Sequence, residues 1–333
     1  MRARVSSLAP DAMLAGRFRI RRALGQGSMG SVFEAEDGLD GRVVALKVSA
    51  PDAGADARAR RRLAREAEAG STIESPHVVR ALATGEDAST GLVWIALELA
   101  PGPTLDAYVR ERSPLERSVA ARLLLQLGDA LAAAHRVGVV HRDLKPDNIR
   151  VEERPDGPWL RVLDFGIAKS IAGLEVSATA PGLGAPLWVA PEQSRAGHAP
   201  APSADVWSYG LVAFFVLTGK LYWEHAAETS SLAELALEIV KGTLAPASVR
   251  ARLLGVEASL PAGFDAWFAR AVTREPAARF ADADGARRAL AAVFDARPSD
   301  RGGPVVERPW WLLLVLLAGC AAMGYAISRI IRG

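Results

Sequence analysis

The chain has little of several things, and each shortage narrows its reading. Its 333 residues contain one cysteine, Cys320, so no disulfide can form within the chain, which agrees with a reducing compartment. Charge of one sign is missing: 40 Lys and Arg stand against 38 Asp and Glu, a net +2, which removes any global electrostatic case for nucleic-acid binding. Lysine is scarce, with Lys47, Lys145, Lys169, Lys220 and Lys241 the only five among those 40 basic residues. Where lysine persists against such a bias toward arginine, a need for a compact ammonium is worth seeking. Met1 to Gly16 has no long apolar core, so no secretory leader is read there. No repeat of solenoid length occurs.

What is present changes character along the chain. Residues 17–49 read as strands, with a glycine-rich turn after Arg17-Phe18-Arg19-Ile20 and an Asp40-Gly41 turn before Val43–Val48. Residues 58–73 read as a helix whose inner face carries Leu63, Glu66, Ala67, Gly70 and Ile73. Leu92–Leu99 reads as a buried strand. After Pro101-Gly102-Pro103 the pattern is mainly helical, clearest at Ser118–His135, then Val206–Thr218, Ser231–Lys241, Phe264–Thr273 and Asp284–Phe294. Short strands are expected over 137–170, and a long functional loop over 171–204, which is rich in Gly, Ala, Pro and Ser. A strand-rich first part thus precedes a larger helical one.

Three motifs carry chemistry. Gly25-Gln26-Gly27-Ser28-Met29-Gly30 lets backbone approach a phosphate. By itself it is weak, because a plain turn or a dinucleotide fold shares the pattern. A dinucleotide site needs a helix next, whereas Val32-Phe33-Glu34-Ala35 runs on as a strand. Lys47 ends the apolar run Val44-Ala45-Leu46 and needs a carboxylate partner. Glu66, on the inward face of the next helix, is the choice. The third motif is His141-Arg142-Asp143-Leu144-Lys145-Pro146-Asp147-Asn148.

Together with Asp164-Phe165-Gly166, Ala190-Pro191-Glu192, Asp205-Val206-Trp207-Ser208-Tyr209-Gly210 and Arg279, in this order, these resemble the protein-kinase signature set over residues 17–294. The resemblance is to the bacterial eukaryotic-like (Hanks-type) serine/threonine kinases. It implies an α+β, bilobal fold with a strand-rich N-lobe and a mainly helical C-lobe. It also implies ATP and Mg²⁺ (or Mn²⁺) as cofactors, and protein substrates with Ser or Thr acceptors, the chain itself included. Nucleic acid is not among the expected partners.

The resemblance assigns roles by position. Asp143 takes or orients the acceptor proton, Lys145 neutralises the γ-phosphoryl group, and Asn148 and Asp164 hold the metal. Lys47 holds the α- and β-phosphates and is fixed by Glu66. Leu24, Gly25, Gly27, Gly30, Val32 and Ala45 line the nucleotide, the backbone of Glu98 and Ala100 meets the adenine with Leu97 behind it, and Asp106 reaches the ribose. Asp205 braces the catalytic loop, Glu192 pairs with Arg279, and His141 is scaffold. His77, His135, His198 and His225 have no metal-ligand spacing. Lysine at 145 fits the serine/threonine type, and Arg142 is placed to receive a phosphate on Ser177 or Thr179.

Two departures stand out. Ala185 lacks the hydroxyl that the family carries before Ala-Pro-Glu, which implies a slowed kinase and leaves an ATP-binding pseudokinase scaffold as the alternative. Lys220-Leu221-Tyr222-Trp223 replaces the usual Pro-Phe pattern, with consequences for substrate docking.

Trp310–Ser328 contains no charge, carries Trp310, Trp311 and Tyr325 near its ends, and is flanked by Arg308 and Arg329. It reads as a single C-terminal transmembrane helix anchoring a cytoplasmic kinase. The expected organisation is an extension at 1–16, a kinase domain at 17–294, a juxtamembrane linker at 295–309, the span at 310–328 and a short tail at 329–333.

Overall fold

The computed structural model describes residues 8–27, 30–49, 71–165, 187–194, 201–226 and 232–295. The chain divides into Met1–Ala296 and Arg297–Gly333, and every described residue lies in the first unit. Most of the helix expected over 58–73, most of the loop expected over 171–204 and the apolar run at 310–328 fall outside the described residues.

Six strands form the first sheet: β1 (Met13–Leu14), β2 (Phe18–Gly27), β3 (Gly30–Asp37), β4 (Val43–Ser49), β5 (Ala81–Glu86) and β6 (Val93–Glu98), in the order β1-β2-β3-β4-β6-β5. All neighbours are antiparallel. In β4, burial alternates: Val44, Leu46 and Val48 enter a core with Phe18, Ile20, Phe33 and Trp94. The period of two then sends Ala45 and Lys47 to the opposite face. β6 is apolar on both faces, with Trp94 and Ala96 in that core and Ile95 and Leu97 in a second cluster with Val79, Ala45, Ala100 and Leu163. The extension expected at 1–16 is in part sheet: Leu14 is buried, and the Ala15 N–H donates to Asp87 Oδ2 at 3.1 Å.

The second half is helical: α1 (Leu105–Arg112), α2 (Arg117–Arg136), α3 (Pro202–Thr218), α4 (Leu232–Lys241), α5 (Ala247–Leu253), α6 (Phe264–Ala271) and α7 (Ala283–Asp295), with a small sheet of β7 (Ile149–Arg154) and β8 (Gly157–Val162). α3 is apolar nearly all round and is buried from Ser203 to Thr218, so it is the hub of the helical core. Pro202 in its first turn fixes φ where a helix start leaves an N–H without partner anyway. Gly219, left-handed at φ 68°, closes it by donating to the Phe215 carbonyl. α3 begins one turn before the expected Val206, so Asp205 sits in its first turn, where the helix dipole favours negative charge. β5 and α5 were not expected from the sequence; the other described helices agree within a few residues.

Candidate active site

The residues expected to line a nucleotide are placed by strand register. Gly27 pairs with Gly30 at the tip of the β2–β3 hairpin, Gly25 pairs with Val32, and Leu24 is the extra residue of a β-bulge between Ala23 and Gly25. Val32 is opposite Lys47, Lys47 opposite Ile95, and Ala45 opposite Leu97. One sheet face therefore carries Val32, Ala45 and Lys47. Gly30 has φ 140°, and a Cβ there would lie 2.2 Å from the Val48 carbonyl oxygen, so only glycine fits.

At the end of β6 the Glu98 N–H donates to the Arg80 carbonyl at 3.0 Å, and its carboxylate binds Arg161 and, at 3.2 Å, Arg80. Arg161 lies on β8, so Glu98 ties the large sheet to the small one. Ala100 and Leu97 share the second apolar cluster with Ala45. The Asp106 carboxylate, expected to reach a ribose, accepts from Arg110 Nε through both oxygens at 2.9 and 2.8 Å.

The catalytic loop is held by its own polar groups. Asn148 Nδ2 donates to the Asp143 carbonyl at 2.8 Å and to Asp143 Oδ2 at 3.2 Å. Lys145 Nζ lies 3.5 Å from the same Oδ2. The Asp143 N–H donates to His141 Nδ1 at 3.3 Å, so the His141 proton is on Nε2, which donates to the Leu163 carbonyl at 2.9 Å. His141 is 1% exposed and packs edge-on against Phe165, the scaffold role expected of it. Lys47 Nζ meets Asp164 Oδ2 at 2.8 Å, joining the sheet to the loop that follows β8. Glu66 lies outside the described residues.

Two non-glycine residues here are left-handed: Arg142 at φ 67° and Asp164 at φ 55°. Such strain is kept only where the surroundings impose it. For Arg142 the cause is Asp205, which accepts the Arg142 N–H at 2.8 Å, the His141 N–H at 2.7 Å and His135 Nε2 at 2.9 Å. Burial pushes this carboxyl up, but the hydrogen bond from His135, the nearby imidazoles and the His141 N–H together hold it below the ordinary aspartate range. His135 Nδ1 accepts the Ala283 N–H at 3.1 Å, which fixes the proton on Nε2, facing Asp205. Sequence reading passed over His135 except to deny it a metal, and its spacing carries no signal for a brace.

The strip Leu187–Ser194 lies beside the catalytic loop. Gln193 Nε2 donates to the Arg142 carbonyl at 2.8 Å, while its Oε1 accepts the Ala190 N–H at 3.3 Å. Glu192 takes a two-pronged bond from Arg279 at 2.6 and 2.8 Å, as expected, and Arg279 also reaches the Ser203 and Thr273 carbonyls. Gln193 was missed because only its contact, not its type, marks it. Ser177, Thr179 and Ala185 lie outside the described residues.

Among the described residues no three His, Cys, Asp or Glu side chains gather as a metal cage. The two residues expected to hold a metal carry oxygen donors: Asn148 gives its N–H groups to Asp143, which leaves its amide oxygen to accept, and Asp164 is a carboxylate. Two protein oxygens suit a hard divalent ion that draws its other ligands from water and phosphate.

A strand-rich lobe, a helical lobe, a loop that gathers Asp143, Lys145 and Asn148, and a strand lysine paired with Asp164 together mark the protein-kinase class. Residues 18–255 match the protein kinase domain family. The chain belongs to that family and groups with its bacterial Hanks-type serine/threonine members. It is 31% identical over 293 residues to serine/threonine-protein kinase PknE of Mycobacterium bovis, covering 88% of this chain and 49% of that one. It is 31% identical over 283 residues to serine/threonine-protein kinase PrkC of Bacillus subtilis, covering 85% and 41%. The chain spans about half, or less, of the length of these relatives. The crystal structure of the PknI kinase domain of Mycobacterium tuberculosis superposes with a TM-score of 0.62 at 26% identity, covering 87% of this chain and all of that one.

Proposed function

We propose that this chain is an ATP- and Mg²⁺-dependent protein serine/threonine kinase, tethered to a membrane by residues 310–328, with the kinase domain on the cytoplasmic side where ATP is found. The observation that carries the reading is the catalytic loop, where Asn148 and Lys145 both address Asp143 while Asp164 meets Lys47. Asp143, aimed by the Asn148 amide, accepts the proton of a Ser or Thr hydroxyl. Lys145 stands over the same carboxylate and is available to neutralise a γ-phosphoryl oxygen. Lys47 steers the α- and β-phosphates, and Asn148 and Asp164 are the residues to hold Mg²⁺, which when bound neutralises charge on the phosphates. Leu24, Val32, Ala45 and Leu97 offer the apolar walls for the base. The intact set of Lys47, Asp143, Asn148 and Asp164 weighs against a pseudokinase scaffold.

The tether rests on sequence: an uncharged run with aromatic ends, of about the length a bilayer needs. Among the described residues no helix is long and apolar enough to cross a membrane, so the span depends on the tail alone. The test is transfer from radiolabelled ATP with Mg²⁺ to myelin basic protein, followed by phosphoamino-acid analysis. Phosphoserine or phosphothreonine is expected from the native chain and almost none from Asp143→Asn, which should still bind nucleotide. An Asp143→Asn protein transferring at the native rate sinks the assignment. For the tether, the full chain should resist carbonate extraction from membranes.

A further inference from the structure

The strip Leu187–Glu192 is fastened at three points. Arg279 grips Glu192. Ser208 Oγ on α3 donates to the Trp188 carbonyl at 2.7 Å. The third point is Trp223, whose Nε1–H donates to the Leu187 carbonyl at 2.8 Å. Trp223 is 4% exposed and stacks on Trp207, with ring centroids 6.0 Å apart and planes 26° apart. Trp207 in turn lies under the Arg279 guanidinium at 5.0 Å. The two outer fastenings are thus joined through one pair of stacked indoles. Tyr222, next to Trp223, is itself held by its hydroxyl on the Ala245 carbonyl at 2.7 Å, so the indole has little freedom to swing.

Trp223 lies in the segment Lys220–Trp223 that departs from the Pro-Phe pattern of the family resemblance. Its indole N–H is a donor that a phenylalanine ring would lack. It acts on the N-terminal end of a strip whose C-terminal end is bonded, through Gln193, to the carbonyl of Arg142 beside Asp143. Because Gln193 ties the strip to the residue before Asp143, the strip borders the path by which, on the kinase reading, an acceptor hydroxyl reaches Asp143. Of Leu187, Trp188, Val189 and Ala190, only Val189 is not buried, so the strip meets its acceptor with a side chain whose position depends on how the flanking carbonyls are tied.

We propose that Trp223 is a positioning residue for the protein substrate: its indole N–H fixes the Leu187 carbonyl and thereby the strip against which the acceptor docks. The inference rests on the kinase reading above. The test is Trp223→Phe in the full-length chain, which keeps the ring and deletes the donor. The KM for myelin basic protein should rise about fivefold to tenfold, the effect of one buried hydrogen bond. The KM for ATP should stay near native, because no described residue of the strand-rich lobe is seen to bond or stack with this ring. An unchanged KM for the acceptor overturns the proposal, and so does a parallel change in acceptor KM, ATP KM and midpoint, which is the mark of general loosening. A second measurement needs no variant: hydrogen exchange of the Trp223 indole N–H in the native protein. Strong protection is expected, and exchange at the rate of a free indole rejects the clamp. Absence of phosphate transfer by the native chain would fail the kinase reading itself, while the indole exchange would still decide whether the clamp exists.

Discussion

At the scale of single residues, the site stores strain and spends charge to keep it. A left-handed non-glycine residue costs about 1–2 kcal/mol, and both Arg142 and Asp164 are of this kind. Asp205 holds the first by taking three donors on one fully buried carboxylate. Its lowered pKa gives a sign to the acid response. The stability it contributes is complete above the ordinary aspartate value of 3.8 and is lost as pH falls through the lower native value. Asp205→Asn replaces one acceptor oxygen by an NH₂ group, which then opposes a donor. The variant should lose about 1.5–3 kcal/mol of stability at neutral pH, the range for hydrogen bonds to charged groups. Urea unfolding measures this; a loss under about 0.5 kcal/mol, typical of surface changes, contradicts the brace. The kcat of the folded fraction should fall while nucleotide affinity holds.

At the scale of elements, the β2–β3 hairpin and the β4 edge meet without room for a side chain. Gly30→Ala puts a Cβ into the Val48 carbonyl. The hairpin must then shift, and affinity for a non-hydrolysable ATP analogue should drop at least about tenfold by calorimetry, the equivalent of about 1.4 kcal/mol. A second element-level prediction concerns His77, which joins the sheet lobe to β8. Its ring packs tilted against Trp159 with centroids 4.4 Å apart and donates from Nδ1 to the Leu160 carbonyl at 2.9 Å. Burial holds its pKa below 6.5, although the Leu160 bond works the other way. The unfolded chain therefore binds the proton more tightly, and stability begins to fall as pH drops through 6.5 toward the lower native value. Urea midpoints at about pH 7.5 and about pH 5.5 should differ less in His77→Gln than in the native chain, because a group that titrates in this range is gone. Elements of this kind were legible where one period dominates, as in β4 or α2. β5, Ala81–Glu86, was hidden because its small residues and mostly half-buried pattern give no alternation. α5 was hidden by its length, Ala247–Leu253, and by Pro246 just before it. The loop residues Asp143, Lys145 and Asn148 were legible from their order. The braces His135 and Gln193 were not, because each owes its role to a partner distant in sequence.

At the scale of the whole molecule, Glu192 and Arg279 are 87 residues apart and form a buried, two-pronged pair. Removing one partner alone leaves the other charge buried, so Glu192→Gln should cost about 3–5 kcal/mol, seen as a lowered denaturant midpoint. The division of the chain at Ala296 gives another prediction. A chain ended at Pro304 should keep its thermal midpoint and ATP binding and should no longer pellet with membranes; unfolding on truncation would show that the tail serves the fold. The match to the protein kinase family stops at 255, yet the hydrogen bonds do not. The donors run one way, from the Ala283 N–H to His135, from His135 to Asp205, where the backbone of the catalytic loop also points its protons. One arrow starts in α7, the other in the loop at Arg142, and both end on Asp205, so the last described helix shares in bracing that loop, and a chain cut where the family likeness ends would keep nearly every signature residue and lose the first link of the brace.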